Sequence, residues 1–235
     1  MKTGTRLFPL LVVVLMVLTL SCKKDNYYKD SGKQVGVYDI GAYDFLKARP
    51  LFFDTLINII DSAGLQDVLQ KETVTFFAPT NHAIKKTMDV LNSARYMQNK
   101  DSVYIRDIPG DIWKRFLSHY IFRGRYMLKD IARRDKLQLP VFPGQNMESY
   151  NGYIMNLGVQ FSDYSKTKDV GPRTVVITAI GDLANPAGIT NLVATSDLQC
   201  KNEVVHVLDD DHFFGFDAFA FTQAVQDYLQ QSGRH

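Results

Sequence analysis

The sequence predicts an α+β domain, with helices mostly first and short strands second. Three observations predict it. From about 41 to 70, and again in the stretches that follow Pro79 and Gly110, apolar residues recur at three-to-four spacing, as core-facing helices require. From about 137 to 209, the chain breaks into short β-branched runs separated by Gly, Pro and Asn pairs, the mark of strands and turns. One strand, at 73–78, interrupts the helical half, and no heptad or solenoid period is present.

The first residues predict where the protein lives. Lys2 and Arg6 precede the apolar run "LFPLLVVVLMVLTL", and Ser21 and Cys22 follow it. A basic head, an apolar stretch and a small residue at the cut read as an export signal over 1–21. The run is about 14 residues, short of the ~20 that a membrane-crossing helix needs. "TLSC" resembles the lipobox of bacterial lipoproteins, which implies a lipidated Cys22, and the polar stretch 22–39 reads as a tether. The expected organisation is therefore a signal peptide over 1–21, a tether over 22–39, and a domain with a C-terminal helical extension over 40–235.

Charge and cysteine usage narrow the function class. The chain carries 27 basic and 25 acidic residues, and removing Lys2 and Arg6 leaves 25 of each. A neutral exported domain lacks the basic surface that nucleic acid needs. With Cys22 lipidated, Cys200 has no partner for an intrachain disulfide and reads as a buried free thiol.

Within the domain, Phe52, Leu56, Ile59 and Ile60 form a helical stripe after Pro50, which suits a first helical position. Gly64 is the expected stop, and a short helix through Leu65, Val68 and Leu69 follows. In "VTFFAPTNHAI", residues 74–84, a buried strand ends at Pro79, which cannot donate to a ladder. Thr80 and Asn81 can accept helix N–H groups, and Ala83, Ile84, Met88 and Leu91 resume the helical period. Residues 92–110 read as a loop or insertion. A helix restarts after Pro109-Gly110 with Asp111 as N-cap, burying Ile112, Phe116, Leu117 and Tyr120. "FRGRYMLKDIARR" reads as a turn and a short helix.

Strands are expected in "KLQLPVF", "GYIMNLGVQF", "RTVVITAI", "NLVATSDLQC" and "NEVVHVLD", separated by turns at Pro143-Gly144, Asn151-Gly152, Gly171-Pro172 and Asn185-Pro186. "DAFAFTQAVQDYLQQ" closes the chain as a helix.

Two of these segments resemble the signature boxes of fasciclin-type domains. Thr73, Val74, Phe77, Ala78, Pro79, Thr80 and Asn81 match the first box. Asn202, Val204, Val205, His206, Val207 and Asp209 match the second. His119 in "FLSHYIFRGRY" is similar to the family's Tyr-His segment, and Asp197 in "TSDLQC" to its Asp-Ile strand. The resemblance spans about 40–212. It implies a β-wedge of short strands packed against a helical layer, with the boxes meeting as scaffold. It also implies an adhesion or ligand-capture role, with an extracellular glycan or an envelope or matrix protein as partner. Glu203 stands where the second box has glycine, so a positive φ there would strain the turn.

No signature of chemistry emerges. His206, Asp209, Asp210, Asp211 and His212 carry metal-ligating atoms, and a metal-dependent hydrolase built on them is the competing reading. Strand alternation separates His206 and His212 from Asp209 and Asp211, so a packed structural His206 is favoured and no metal or cofactor is expected. His119 reads as buried and hydrogen-bonded. Ser118 and His119, as helix neighbours, point about 100° apart and make no triad. Gly-x-Ser-x-Gly, phosphate loops and paired-Cys zinc spacings are absent from the sequence.

Phe213, Phe214, Phe216 and Phe219 read as core. Tyr150 and Tyr153, flanking the Asn151-Gly152 turn, are the candidate surface-binding aromatics. The sequence thus predicts a non-enzymatic module, exported and lipid-anchored at a bacterial envelope on the outer membrane. It captures a glycan or partner protein there, with a structural spacer as the third reading.

Overall fold

A computed structural model of the chain describes residues 36–181, 183 and 188–233. The predicted signal peptide, Cys22, most of the tether, the Asn185-Pro186 turn and His235 lie outside the described residues. No helix among the described residues is long and apolar enough to cross a membrane.

The helical half contains α1 (Ala42–Lys47), α2 (Pro50–Ala63) and α3 (Val68–Lys71). Pro50 opens α2 and Gly64 ends it at φ 65°, a left-handed conformation open to glycine without strain. The buried stripe of α2 is Phe53, Leu56, Ile57, Ile59, Ile60 and Ala63, while Phe52 is 48% exposed. The apolar pair 52–53 had two possible phases, and packing selects the one that continues to Ile57 and Ile60.

Strand β1 (Val74–Ala78) then runs into α4 (Asn81–Tyr96), whose Thr80 cap accepts the Ala83 N–H at 3.3 Å. The first-box residue Thr73 lies just ahead of the strand and is exposed. Asn81 does not cap α4. Its side-chain oxygen accepts the Thr55 N–H and its amide donates to the Pro50 and Leu51 carbonyls, fastening α4 to the start of α2.

Helix α4 continues past 92, where a loop was expected, because two polar residues on its last turns are used inward. Asn92 both donates to and accepts from the Val103 backbone, and the buried Arg95 donates to the Asp101 carbonyl. The segment after the helix is thereby strapped to it, with a 3₁₀ turn at Ile105–Asp107.

Helix α5 (Gly110–Leu117) is capped by Pro109, not by Asp111, which sits in the first turn. It buries Trp113, Phe116 and Leu117, and Tyr120 follows in a 3₁₀ turn. "FRGRYMLKDIARR" folds as strand β2 (Ile121–Arg123) and a 3₁₀ turn at Leu128–Asp130.

The remaining strands are β3 (Gln145–Glu148), β4 (Ile154–Phe161), β5 (Arg173–Ala179), β6 (Ile189–Gln199) and β7 (Val204–Leu208), before α6 (Ala218–Gln231). The expected strand 136–142 is instead a turn. Pro140 has no N–H to donate, and the Gln138 carbonyl accepts from both Val141 and Phe142. Seven strands join in the order β2-β1-β7-β6-β5-β4-β3. All neighbours are antiparallel except β1 and β7.

Strand β6 links two halves of the sheet. Residues 189–192 pair with β5 and 193–199 with β7, with register shifts at Val193/Thr195 and Thr195/Leu198 that bend it between the two. The core lies between this sheet and the helices, centred on Trp113, Tyr120, Phe76, Phe77, Phe122, Phe214 and Phe221.

Candidate functional site

The two signature segments meet as adjacent parallel strands. Thr75 pairs with Val204, Phe76 with Val205, Phe77 with His206 and Ala78 with Val207. Parallel strands need a long crossover, and here the whole middle of the chain supplies it.

His206 is fully buried and stacked on Phe77 at 4.9 Å between ring centres. Its Nδ1 accepts the Asp197 N–H at 3.2 Å, so its Nε2–H donates to the Tyr126 carbonyl at 2.9 Å. Burial holds this ring neutral, below the usual histidine range. Asp197, at φ 62°, accepts the Leu128 N–H at 2.8 Å, and Thr75 accepts the Tyr126 N–H while donating to the Gly124 carbonyl. Thr75, Asp197 and His206 together clip the 124–128 segment across the sheet.

His212 uses the opposite tautomer. The Gly215 N–H donates to the Tyr120 hydroxyl, which donates to His212 Nε2 at 2.6 Å; Nδ1–H donates to Asn191 at 2.8 Å. Burial pushes this histidine down to about 3, with Lys86 adding to the shift. Every ring nitrogen of His206 and His212 is thus engaged within the protein.

The three aspartates between them diverge. Asp209 accepts its own loop's Asp211 N–H, and Asp210 accepts the Thr80 hydroxyl. Among the described residues, no group of three or more His, Cys, Asp or Glu is arranged to hold a metal. The hydrolase reading of 206–212 therefore has no geometric support.

His119 is buried but makes no hydrogen bond among the described residues, contrary to the expectation. Its ring stacks on Tyr153 at 4.3 Å, and burial, with Arg115 nearby, lowers it to about 4. Tyr153 is accordingly half-buried, and so is Tyr150, whose hydroxyl donates to Glu72 while Arg123 covers its ring at 4.3 Å. The two tyrosines brace the turn beside them.

Of the four late phenylalanines, Phe214 and Phe216 are core, whereas Phe219 is 74% exposed and Phe213 lies at the surface under Lys86. Cys200 is a buried free thiol, pushed up to about 12 chiefly by burial. Glu203 escapes the anticipated strain because its φ is not positive. It is fully buried instead, accepting the Ala42 and Asn202 N–H groups on one oxygen, and burial raises its carboxyl.

With the boxes consumed internally, the open feature beside them is a groove of about 900 Å³ between α2 and α4, walled by residues 103–106. Its floor is the buried Ile84, Met88 and Val103. Its rim carries Asn58, His82, Lys85, Tyr104 and Arg106. Tyr104 is 57% exposed, with the Arg106 guanidinium 5.0 Å over its ring. The groove's carboxylate, Asp54, is occupied by the Asn81 amide and by Thr55.

An apolar floor with an aromatic lip and amide and cationic groups suits binding of a polar chain or sugar face. The sequence reading missed this groove because 92–110 carries no period. The available signal was the pair Asn92 and Arg95, polar residues on the inward side of a helix.

A family model for the fasciclin domain matches residues 52–210. Among solved structures, the chain is similar to a FAS1 domain pair from the insect cell adhesion molecule fasciclin I. The identity is 15% and the TM-score 0.47, over 73% of this chain and 50% of that one, so the match spans half the length of that chain. No curated protein matches.

Proposed function

The chain belongs to the fasciclin domain family, and from that premise we propose a non-catalytic adhesion module, lipid-anchored through Cys22 at a bacterial envelope. It captures a glycan or a partner protein in the groove between α2 and α4. The observation that carries this reading is the division of labour just described. The signature His206 and Asp197 are spent on internal bonds and His119 is stacked on Tyr153, while the adjacent groove leaves Tyr104 and Arg106 open to solvent. The export signal and the "TLSC" motif support the anchor.

Residues 23–235, displayed to a glycan array and used as bait for envelope proteins, test the capture role. Replacing Tyr104→Ala with Arg106→Ala is expected to weaken the retained ligand at least about tenfold, the loss of ~1.4 kcal/mol. Retention unchanged by both replacements counts against the groove, and no retention at all favours a structural spacer. Labelled fatty acid incorporated into the wild type and lost in Cys22→Ser tests the anchor separately.

A further inference from the structure

A second surface lies away from the groove, where the loops 135–143 and 162–172 face each other across a cleft of about 360 Å³. Their base is tied together by one side chain. The Arg133 guanidinium lies between the Phe142 ring at 4.0 Å and the Phe161 ring at 4.9 Å, and it donates to Asp169 on the opposite loop at 2.7 Å. Arg173 lies over Phe161 as well, at 4.6 Å.

From this base the tips present large apolar side chains to water: Leu137 at 85% exposure, Val141 at 65%, Tyr164 at 69% and Val170 at 60%. Tyr164 and Thr167 exchange both backbone hydrogen bonds around Ser165 and Lys166, which have φ of 48° and 68°. Such turns ordinarily take Asn-Gly, so two side chains are held in a strained conformation at the outermost point of the loop.

Exposed Lys136, Lys166, Lys168 and Arg173 stand among the apolar tips. The acids of the same loops are occupied: Asp135 accepts the Leu137 N–H, Asp163 the Asp169 N–H, and Asp169 pairs with Arg133.

We infer that these two loop tips dock the domain on a lipid bilayer with anionic headgroups, the apolar side chains entering the interface and the lysines meeting phosphates. Interleaved cations and scattered apolar tips are what such an interface rewards. The guanidinium groups over Phe142 and Phe161 leave Tyr164 as the exposed ring of these tips, set among aliphatic side chains.

Position in the fold agrees. By register, the β4–β5 loop leaves the sheet at the same end as Gln199, and Val37 pairs with Gln199 at the start of the described chain. Thirteen residues lie between Cys22 and Gly36. Extended, this stretch spans at most about 50 Å, so a lipid on Cys22 leaves this end of the sheet within reach of the bilayer. The inference rests on the anchored reading for its biological setting, but its physical test needs no lipid on the protein.

Residues 23–235 are sedimented with vesicles of phosphatidylcholine alone and with vesicles mixing it equally with phosphatidylglycerol. Binding is expected to the mixed vesicles and to weaken with salt. The triple variant Lys136→Gln, Lys166→Gln, Lys168→Gln should partition less strongly by on the order of 100-fold. Leu137→Ser with Val141→Ser should reduce partition at every salt concentration. Since all five side chains are exposed, thermal unfolding of both variants should match the wild type and exclude misfolding as the cause. Equal partition onto both vesicle types, or partition unchanged in both variants, overturns the inference. So does capture by soluble polygalacturonate without vesicle binding. Fatty-acid labelling of Cys22 reports on the anchor independently.

Discussion

The histidines show how burial sets chemistry one residue at a time. His206 and His212 adopt opposite neutral tautomers because different neighbours claim different nitrogens. Both His212 and His119 have folded pKa values, about 3 and about 4, below an unfolded value of 6.5. The unfolded chain therefore takes up protons first as pH falls. Their stabilising contribution is complete above about 6.5 and is lost as pH drops toward 4 and then 3. It amounts to on the order of 3–5 kcal/mol for each ring. Glu203, with its carboxyl raised, works in the opposite direction at acidic pH and offsets part of the loss. Urea unfolding followed from pH 7 to pH 4 is expected to show a falling midpoint, and His212→Gln should flatten that dependence. Tyr120→Phe would strand the Gly215 N–H and His212 Nε2, costing about 2–4 kcal/mol in the same assay.

Among the elements, the close approaches are the sensitive points. Gly110 begins α5 directly against the Ser62 carbonyl of α2, where an added Cβ would overlap backbone oxygen. Gly110→Ala should destabilise the protein by about 1–3 kcal/mol, read as a lowered thermal midpoint. The corner after β1 is held twice, by the Thr80 cap on α4 and by the Asn81 clamp on α2. Thr80→Ala should cost about 1 kcal/mol or somewhat more, since the same hydroxyl donates to Asp210. Asn81→Ala should cost at least as much while also loosening the groove wall, so its ligand affinity falls along with its stability. Asn81→Asp should recover neither, since it keeps the acceptor for Thr55 but sets a carboxylate against Asp54 and the Pro50 and Leu51 carbonyls.

At the level of the molecule, two faces with different chemistry share one scaffold. Variants at Tyr104 and Arg106 are expected to leave both unfolding and vesicle binding unchanged, since neither residue belongs to the core or the loop tips. Much of the scaffold was legible in the residues. A strand ending on Pro79, a helix stopped at Gly64, and the β-branched runs of β4 to β7 are local patterns, and local sterics decide them. The family boxes likewise marked which distant segments would meet. Other features depend on what packs where. No local rule distinguished Phe52 from Phe53, turned 136–142 into a loop, or carried α4 beyond Asn92. Glu203 became a buried acceptor for the Ala42 N–H, and Tyr153 became the stacking partner of His119. The sequence by itself determined the order and type of most elements, because backbone preference and apolar period act over a few neighbours. Only the tertiary structure decided which polar groups are consumed and which stay open, because a hydrogen-bond partner 130 residues away, as Asp210 is from Thr80, leaves no trace in local pattern.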